Sequence, residues 1–220
     1  MSSFVRQALY FGGALLLAPL SASALSACEK QPYKVEFSLE NEGGATHSVI
    51  VAVTPEWSPE GSKRFRKLVS DGFYDDTRFF RVIRNFMAQF GLNGDPKKNS
   101  EYPNIQDDPV RSDISNLPGR ITFAKTGAPN SRTTQLFINY ANNANLDPMG
   151  FTPFGEIEGD SGAKAKELEK FIFNIGERPN QGAIREQGNS YLDKDFPKLT
   201  KIKSVKIIEG AACGGEQDDL

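Results

Sequence analysis

Two arginines, Arg81 and Arg84, lie in a run of otherwise apolar and amide side chains, FRVIRNFMAQ at positions 80–89. Successive side chains of a strand point to opposite faces, so Arg81 points away from the core if Phe80 and Val82 point into it. A guanidinium stays charged and offers several N–H donors in a fixed fork. The run therefore predicts a hydrogen-bonding cation held beside an apolar surface.

Few other residues of the chain could serve as nucleophiles or metal ligands. His47 is the only histidine, and the absence of a Gly-x-Ser-x-Gly motif argues against a Ser-His-Asp hydrolase. One histidine and two cysteines are too few for a zinc cluster. We expect His47 to be solvated at the start of a strand. The formal net charge of -2 argues against nucleic-acid binding, which usually requires a basic surface.

The hydrophobic pattern predicts one mainly β domain. The chain has 220 residues, of which 38% are hydrophobic and 25% charged, as is typical of a soluble globular protein. Apolar residues alternate with polar ones at 33–39, and a second β-rich run at 48–53 completes a hairpin. Further strands are predicted at 79–83, 87–90, 119–124, 135–139, 154–157 and 201–208. Many short strands of this kind favour a β-barrel or a β-sandwich over a parallel sheet.

Two helices and one long loop are predicted between these strands. Ser58 is expected to cap the first helix, with Pro59 in its first turn and Gly72 after its end. The second helix is predicted at 163–173. Positions 91–117 are polar, with scattered Pro and Asp, and are predicted to form a surface loop.

Residues 1–27 have the three-part pattern of a secretory signal peptide. Arg6 is followed by a mainly apolar, uncharged stretch at 8–20, and Ala22-Ser23-Ala24 fits a signal-peptidase site. The apolar stretch is short for a membrane span, and the alternative is a buried N-terminal helix. We therefore expect a protein that is secreted or retained in the endoplasmic reticulum lumen, soluble after cleavage.

Both ends carry weaker targeting patterns. Positions 25–28 (LSAC) are similar to a bacterial lipobox, in which Cys28 would be lipidated and would anchor the protein to the cell envelope. The last five residues, EQDDL, are similar to an endoplasmic-reticulum retrieval signal but depart from Lys-Asp-Glu-Leu at two positions. A flexible acidic tail at 210–220 is the alternative that we favour.

Three sequence blocks resemble the cyclophilins. The first is FRVIRNFMAQ at 80–89, which is similar to the family pattern Phe-His-Arg-Val-Ile, two residues, then Phe-Met-x-Gln-Gly-Gly. The second combines ITFA at 121–124, PN at 129–130 and TQLFI at 134–138, and the third combines LD at 146–147 with FG at 154–155. The blocks follow the family order, so we expect a cyclophilin-like domain at 33–209, preceded by a short linker at 28–32.

This resemblance implies a closed eight-stranded antiparallel β-barrel capped by two α-helices. It also implies a peptidyl-prolyl cis-trans isomerase that needs no cofactor or metal, with Arg81 as the catalytic residue that stabilises the twisted X-Pro amide. Gln89 and Gln135 would hold Arg81 and the substrate backbone. The residues at the family's substrate-binding positions are Phe86, Met87, Gln89, Ala124, Lys125, Gln135, Phe137, Leu146 and Phe151.

Three of the departures from the family pattern lie at or beside the substrate-binding positions. Lys125 replaces the usual Asn, Phe151 stands near the place of a frequent His, and Asn145 replaces a frequent Trp. The Trp contacts cyclosporin in the family, so we expect weak cyclosporin binding. The expected partners are proline-containing polypeptides, bound by a monomer with no nucleic-acid partner and, after signal cleavage, no membrane partner unless Cys28 is lipidated. The alternative function is a non-catalytic chaperone or scaffold that binds proline-bearing segments.

A disulfide is the last expectation from the resemblance. Cys28 precedes the first strand and Cys213 follows the last, and these strands are antiparallel neighbours in the family fold. An oxidising compartment would permit a Cys28–Cys213 bridge. The alternative is two independent thiols in the chain ends.

Overall fold

Nine strands form one curled antiparallel sheet in the computed structural model, which describes residues 28–210. The order across the sheet is β3-β9-β1-β2-β8-β6-β7-β5-β4. The strands are β1 (Tyr33–Glu40), β2 (Thr46–Val53), β3 (Thr77–Arg78), β4 (Arg81–Ile83), β5 (Met87–Phe90), β6 (Arg120–Phe123), β7 (Leu136–Asn139), β8 (Pro153–Ile157) and β9 (Lys201–Glu209).

The sheet is an open half-barrel, so the predicted closed barrel of eight strands is wrong in closure and in strand number. The edge strands β3 and β4 have only two and three residues and are separated by Phe79 and Phe80. The amide of Phe79 donates to Thr200 beside β9 (3.1 Å), whereas the amide of Phe80 donates to Gln89 in β5 (3.1 Å). Phe79 and Phe80 therefore connect the two edges of the sheet through the covalent chain. β3 and β4 are too short to pair with each other, so the described sheet has no hydrogen-bonded ladder between them.

Aromatic side chains fill the main core between the sheet and the first helix, α1 (Pro59–Ser70). The inward positions of β1 alternate with half-exposed ones along the whole strand, as its sequence predicts. Phe65 of α1 stacks on Phe37 with 6.2 Å between ring centroids, and its ring lies 4.9 Å from that of Phe154. Burial of each large apolar side chain contributes roughly 1.5–3 kcal/mol, so this packing holds α1 against the sheet.

Three further helices lie between β8 and β9: α2 (Ser161–Phe171), α3 (Gln181–Gln187) and α4 (Asn189–Asp195). The prediction of two helices is therefore wrong, because it missed α3 and α4. Each has seven residues with a single buried apolar side chain, too short for a helical period to be recognised. They pack on a small second core made of Phe80, Leu92, Ile184, Leu192 and Leu199.

The carboxylate of Asp108 caps α1, in place of the Ser58 side chain that the sequence predicted. Asp108 accepts hydrogen bonds from the backbone amides of Glu60 (2.9 Å) and Gly61 (3.0 Å), and the Ser58 hydroxyl donates to it as well. Arg132 donates to the same carboxylate at 2.8 Å, and the two side chains are only 3% and 2% exposed. A buried charge pair therefore ties the long loop to α1 and to the segment before β7.

His47 is half-buried rather than fully solvated, since its ring packs 5.0 Å from Phe171 of α2. It is the second residue of β2, close to its expected place at the start of a strand. Within residues 28–210, no helix has the length and apolar character needed to cross a membrane.

Cys28 lies in a helical turn before β1, and no cysteine of the described chain is a free thiol. β1 and β9 are antiparallel neighbours, with Lys34 opposite Glu209. The expected partner Cys213 lies outside the described residues, as do the signal peptide predicted at 1–27 and the acidic tail after Gly210. The bridge, the signal and the tail stay predictions.

We predict that Asp108→Ala lowers the free energy of unfolding by about 3–5 kcal/mol, because it leaves the Arg132 charge buried without its partner. Chemical denaturation followed by circular dichroism measures this loss. The matched control is Asp195→Ala, which removes an exposed carboxylate at the end of α4 and should leave stability close to that of the wild type. Equal stability of the two variants would contradict the capping role.

We also predict that proteolysis of the mature protein without reductant releases a disulfide-linked peptide containing Cys28 and Cys213. On the chain-entropy model such a bridge stabilises the fold by at most about 5 kcal/mol. Mass spectrometry distinguishes the outcomes: an acylated Cys28, or two free thiols, would refute the bridge.

Candidate active site

All of the site residues identified from the sequence line one groove of ≈520 Å³ on the outer face of the sheet. The groove lies over β4, β5 and β7 and is closed on one side by the 3-10 helix Ala144–Met149. The predicted residues in its wall are Arg81, Phe86, Met87, Gln89, Ala124, Lys125, Gln135, Phe137, Leu146 and Phe151.

The strand register brings the polar residues of the groove together. Arg81 of β4 lies opposite Gln89 of β5, and Gln89 lies opposite Phe137 of β7. Directly opposite residues of an antiparallel sheet share a face and have neighbouring side chains. Phe80 and Val82 are buried on the other face, as the alternation predicts, although Phe80 belongs to the second core rather than the main one.

An apolar cluster forms the floor of the groove. Met87, Phe137 and Leu146 are its buried members, and Phe86 and Phe151 pack against them while remaining partly exposed. The rings of Phe137 and Phe151 meet edge to face with 5.8 Å between centroids, so Phe151 closes the pocket by aromatic packing. Apolar pockets with a few convergent polar groups are the usual form of ligand sites.

The guanidinium of Arg81 stands at the rim of this cluster. Its Nη1 donates to Oε1 of Gln89 at 3.2 Å and lies 3.9 Å from the sulfur of Met87. The guanidinium carbon is 5.9 Å from the ring centroid of Phe86. Gln89 in turn donates from Nε2 to Oε1 of Gln135 at 2.9 Å. Gln89 thus holds Arg81 as expected, whereas Gln135 reaches Arg81 only through Gln89.

A close approach of two chain segments places Gln135 beside Gln89. Gly91, just after β5, has φ +97°, and a Cβ there would collide with the carbonyl oxygen of Thr134. Only glycine accepts both this left-handed conformation and this contact. The amide of Ala124 donates to the carbonyl oxygen of Gln135 at 2.9 Å, which fixes the same wall from the other side.

A buried polar network supports the apolar floor from behind, and Asn116 is its centre. The Nδ2 of Asn116 donates to Asp147 and to the carbonyl oxygen of Phe151, each at 2.7 Å. Asn143 donates to the carbonyl oxygen of Phe86 at 2.9 Å and to Asn139 at 2.7 Å. Buried amides that use their donors in this way hold the backbone rigidly, so Phe86 and Phe151 are fixed in place.

The sequence reasoning missed Glu177, which binds Arg81 through two hydrogen bonds. Nε of Arg81 donates to Oε2 and Nη2 donates to Oε1, both at 2.6 Å. These bonds from Arg81 hold the pKa of the Glu177 carboxyl below its usual value. Glu177 lies 96 positions along the chain from Arg81, in an irregular segment without a motif, so no sequence pattern pointed to it.

Other wall residues were also missed, and some of them come from the unpredicted helix α3. Two cations lie in this wall, the predicted Lys125 and the missed Arg185. Neither makes an ion pair among the described residues. Lys125 instead lies 5.7 Å above the ring of Phe151. The missed wall residues are Asn99, Thr126, Ser131, Thr133, Gln181 and Arg185.

The cyclophilin resemblance is borne out by sequence comparison. The family model described as cyclophilin type peptidyl-prolyl cis-trans isomerase/CLD matches residues 36–186. Peptidyl-prolyl cis-trans isomerase A of Dickeya dadantii is 35% identical over 115 residues, which cover 50% of this chain and 60% of that protein. The peptidyl-prolyl cis-trans isomerase of Acinetobacter baylyi is 29% identical over 157 residues, which cover 69% of this chain and 76% of that one.

The fold has a matching relative among solved structures. A cyclophilin type peptidyl-prolyl cis-trans isomerase of Cryptosporidium parvum superposes with a TM-score of 0.57 at 20% identity, and the match covers 82% of this chain and all of that one. The family match spans the groove wall with Arg81 and the sheet from within β1 to the end of β8, and leaves out β9. The chain therefore belongs to the cyclophilin-type peptidyl-prolyl cis-trans isomerase family.

Proposed function

We propose that this protein catalyses the cis-trans isomerisation of X-Pro peptide bonds in polypeptide clients. The observation that carries the proposal is the position of Arg81 Nη1, directed at Gln89 and Met87 at the rim of the apolar cluster. The names of the bacterial relatives support the same activity. The Cryptosporidium relative has also been crystallised in the presence of the dipeptide Ala-Pro, a minimal ligand of the proposed class.

The chemistry requires a twisted amide to be stabilised, with no bond broken. The partial double bond of the amide sets a rotation barrier of about 20 kcal/mol, and uncatalysed exchange takes tens of seconds or more. In the twisted state the proline nitrogen becomes pyramidal and can accept a hydrogen bond. A donor that binds this state more strongly than the planar amide lowers the barrier, and Arg81 supplies such a donor.

The apolar floor supplies the second requirement, which is to hold the proline ring while the preceding residue rotates. Met87, Phe137 and Leu146 present a buried apolar surface, and Phe86 and Phe151 flank it. Since the backbone of both flanking rings is fixed by the Asn116 network, the pocket is preorganised and binding costs little ordering of the protein.

The second candidate function is a non-catalytic chaperone or scaffold that binds proline-bearing segments. The same groove would serve it, because binding requires the apolar floor and not the donor. The Arg81–Gln89 hydrogen bond favours the enzyme, since a binding site alone does not need a cation held at the rim of the pocket.

We place this activity in a secretory compartment, because residues 1–27 have the pattern of a signal peptide. Anchoring through a lipidated Cys28 is the competing location. At either location, proline-containing clients would bind in the groove as extended segments.

We predict that Arg81→Ala lowers kcat/KM for a proline-containing tetrapeptide by about a hundredfold or more, the usual loss when one donor to a transition state is removed. Exchange NMR or a protease-coupled assay measures the rate. Arg84→Ala is the matched control, because it removes an exposed arginine of the turn that follows β4 and does not line the groove. Isomerisation at the wild-type rate by Arg81→Ala would refute the proposed mechanism. If the wild-type protein binds the peptide but does not accelerate its isomerisation, the scaffold function is favoured.

We also predict that the wild-type protein binds cyclosporin with an affinity well below the nanomolar range, and that Asn145→Trp tightens binding roughly tenfold through added aromatic contact. Asn145 is exposed in the 3-10 helix next to Leu146, so an indole there can reach a ligand at the groove's edge. Isothermal titration calorimetry measures both values. Nanomolar binding by the wild type would contradict this expectation.

A further inference from the structure

The carboxylate of Glu177 and the guanidinium of Arg81 form a two-pronged ion pair beside the groove. Both bonds are 2.6 Å long and engage the Nε and Nη2 edge of the fork. The Glu177 side chain is 65% exposed, against 27% for Arg81. Ion pairs at the surface usually add little to stability, whereas two short bonds in this bidentate geometry fix the orientation of the guanidinium.

The contact leaves the other edge of the fork directed at the groove. Nη1 is the nitrogen that donates to Gln89 and lies next to the sulfur of Met87, and both of these residues line the groove. Glu177 itself is not part of the groove wall. The carboxylate therefore stands behind the guanidinium, on the side away from the apolar floor.

Tertiary contacts hold Glu177 firmly in this place. The preceding residue, Gly176, forms an isolated bridge with Val82, with N–O distances of 2.9 and 3.3 Å. Gly176 has φ +70°, a conformation that favours glycine, and it turns the chain towards Arg81. On the other side of Glu177, Pro179 is buried and Asn180 caps α3 with its side chain at 3.0 Å from the amide of Ala183.

We infer that Glu177 is a positioning residue for the proposed isomerisation: it clamps the Nε and Nη2 edge of Arg81 so that Nη1 faces the substrate amide. This inference rests on the proposed function. A free arginine side chain has many accessible rotamers, and much of that freedom would have to be lost in the transition state. A planar carboxylate matches the planar fork at two points and removes the freedom beforehand.

The test compares Glu177→Gln with the wild type on a proline-containing tetrapeptide. We expect kcat to fall roughly tenfold and KM to change less than about twofold, because a misdirected donor weakens the transition state and not the pocket. Glu177→Asp keeps the charge and should recover part of the rate. The matched control is Glu186→Gln, which removes an exposed carboxylate of α3 and should leave kcat at the wild-type value.

A double-mutant cycle separates positioning from a general structural effect. In an Arg81→Ala background, Glu177→Gln should cause no further loss of rate, since there is no fork left to orient. An equal loss in both backgrounds would overturn the inference, as would an unchanged or increased rate of the single Glu177→Gln variant. If Arg81→Ala alone retains the wild-type rate, it is the proposed function that fails.

Discussion

The proposed function depends on one constraint: a permanent cation must stay at the rim of an apolar pocket, neither buried in the pocket nor turned towards solvent. Arg81 meets the constraint because partners on two sides share its donors, Gln89 from the next strand and Glu177 from an irregular segment. The apolar floor then needs no polar group of its own. The elements around the groove hold either the cation or the apolar floor in place.

Two kinds of structure share that task. The sheet supplies the row from Arg81 through Gln89 to Phe137, since antiparallel register alone makes these side chains neighbours. Irregular segments supply the rest, and they are held by buried polar groups instead of ladders. Asn116 fixes the wall behind the pocket, and Asp108 ties the long loop to α1. Loss of either hub would leave buried polar groups unpaired, which is why such loops can be as well defined as strands.

The segment between α2 and β9 supplies several polar and charged residues at and beside the groove. It carries Glu177, and its helix α3 adds Gln181 and Arg185 to the wall. The second core beneath it includes Phe80, the residue next to Arg81. α3 and α4 therefore pack against the residue that immediately precedes β4, the strand that bears Arg81.

The amino-acid sequence by itself determined most of the strands, the apolar floor and the arginine, because alternation and local motifs are properties of neighbouring residues. Arg81, Met87 and Gln89 lie within one short run, and their faces follow from a period of two. Only the tertiary structure decided that the sheet stays open at β3 and β4, that Asp108 and not Ser58 caps α1, and that Glu177 binds Arg81. These three outcomes depend on contacts between residues far apart in the chain, and no local period or propensity encodes such contacts.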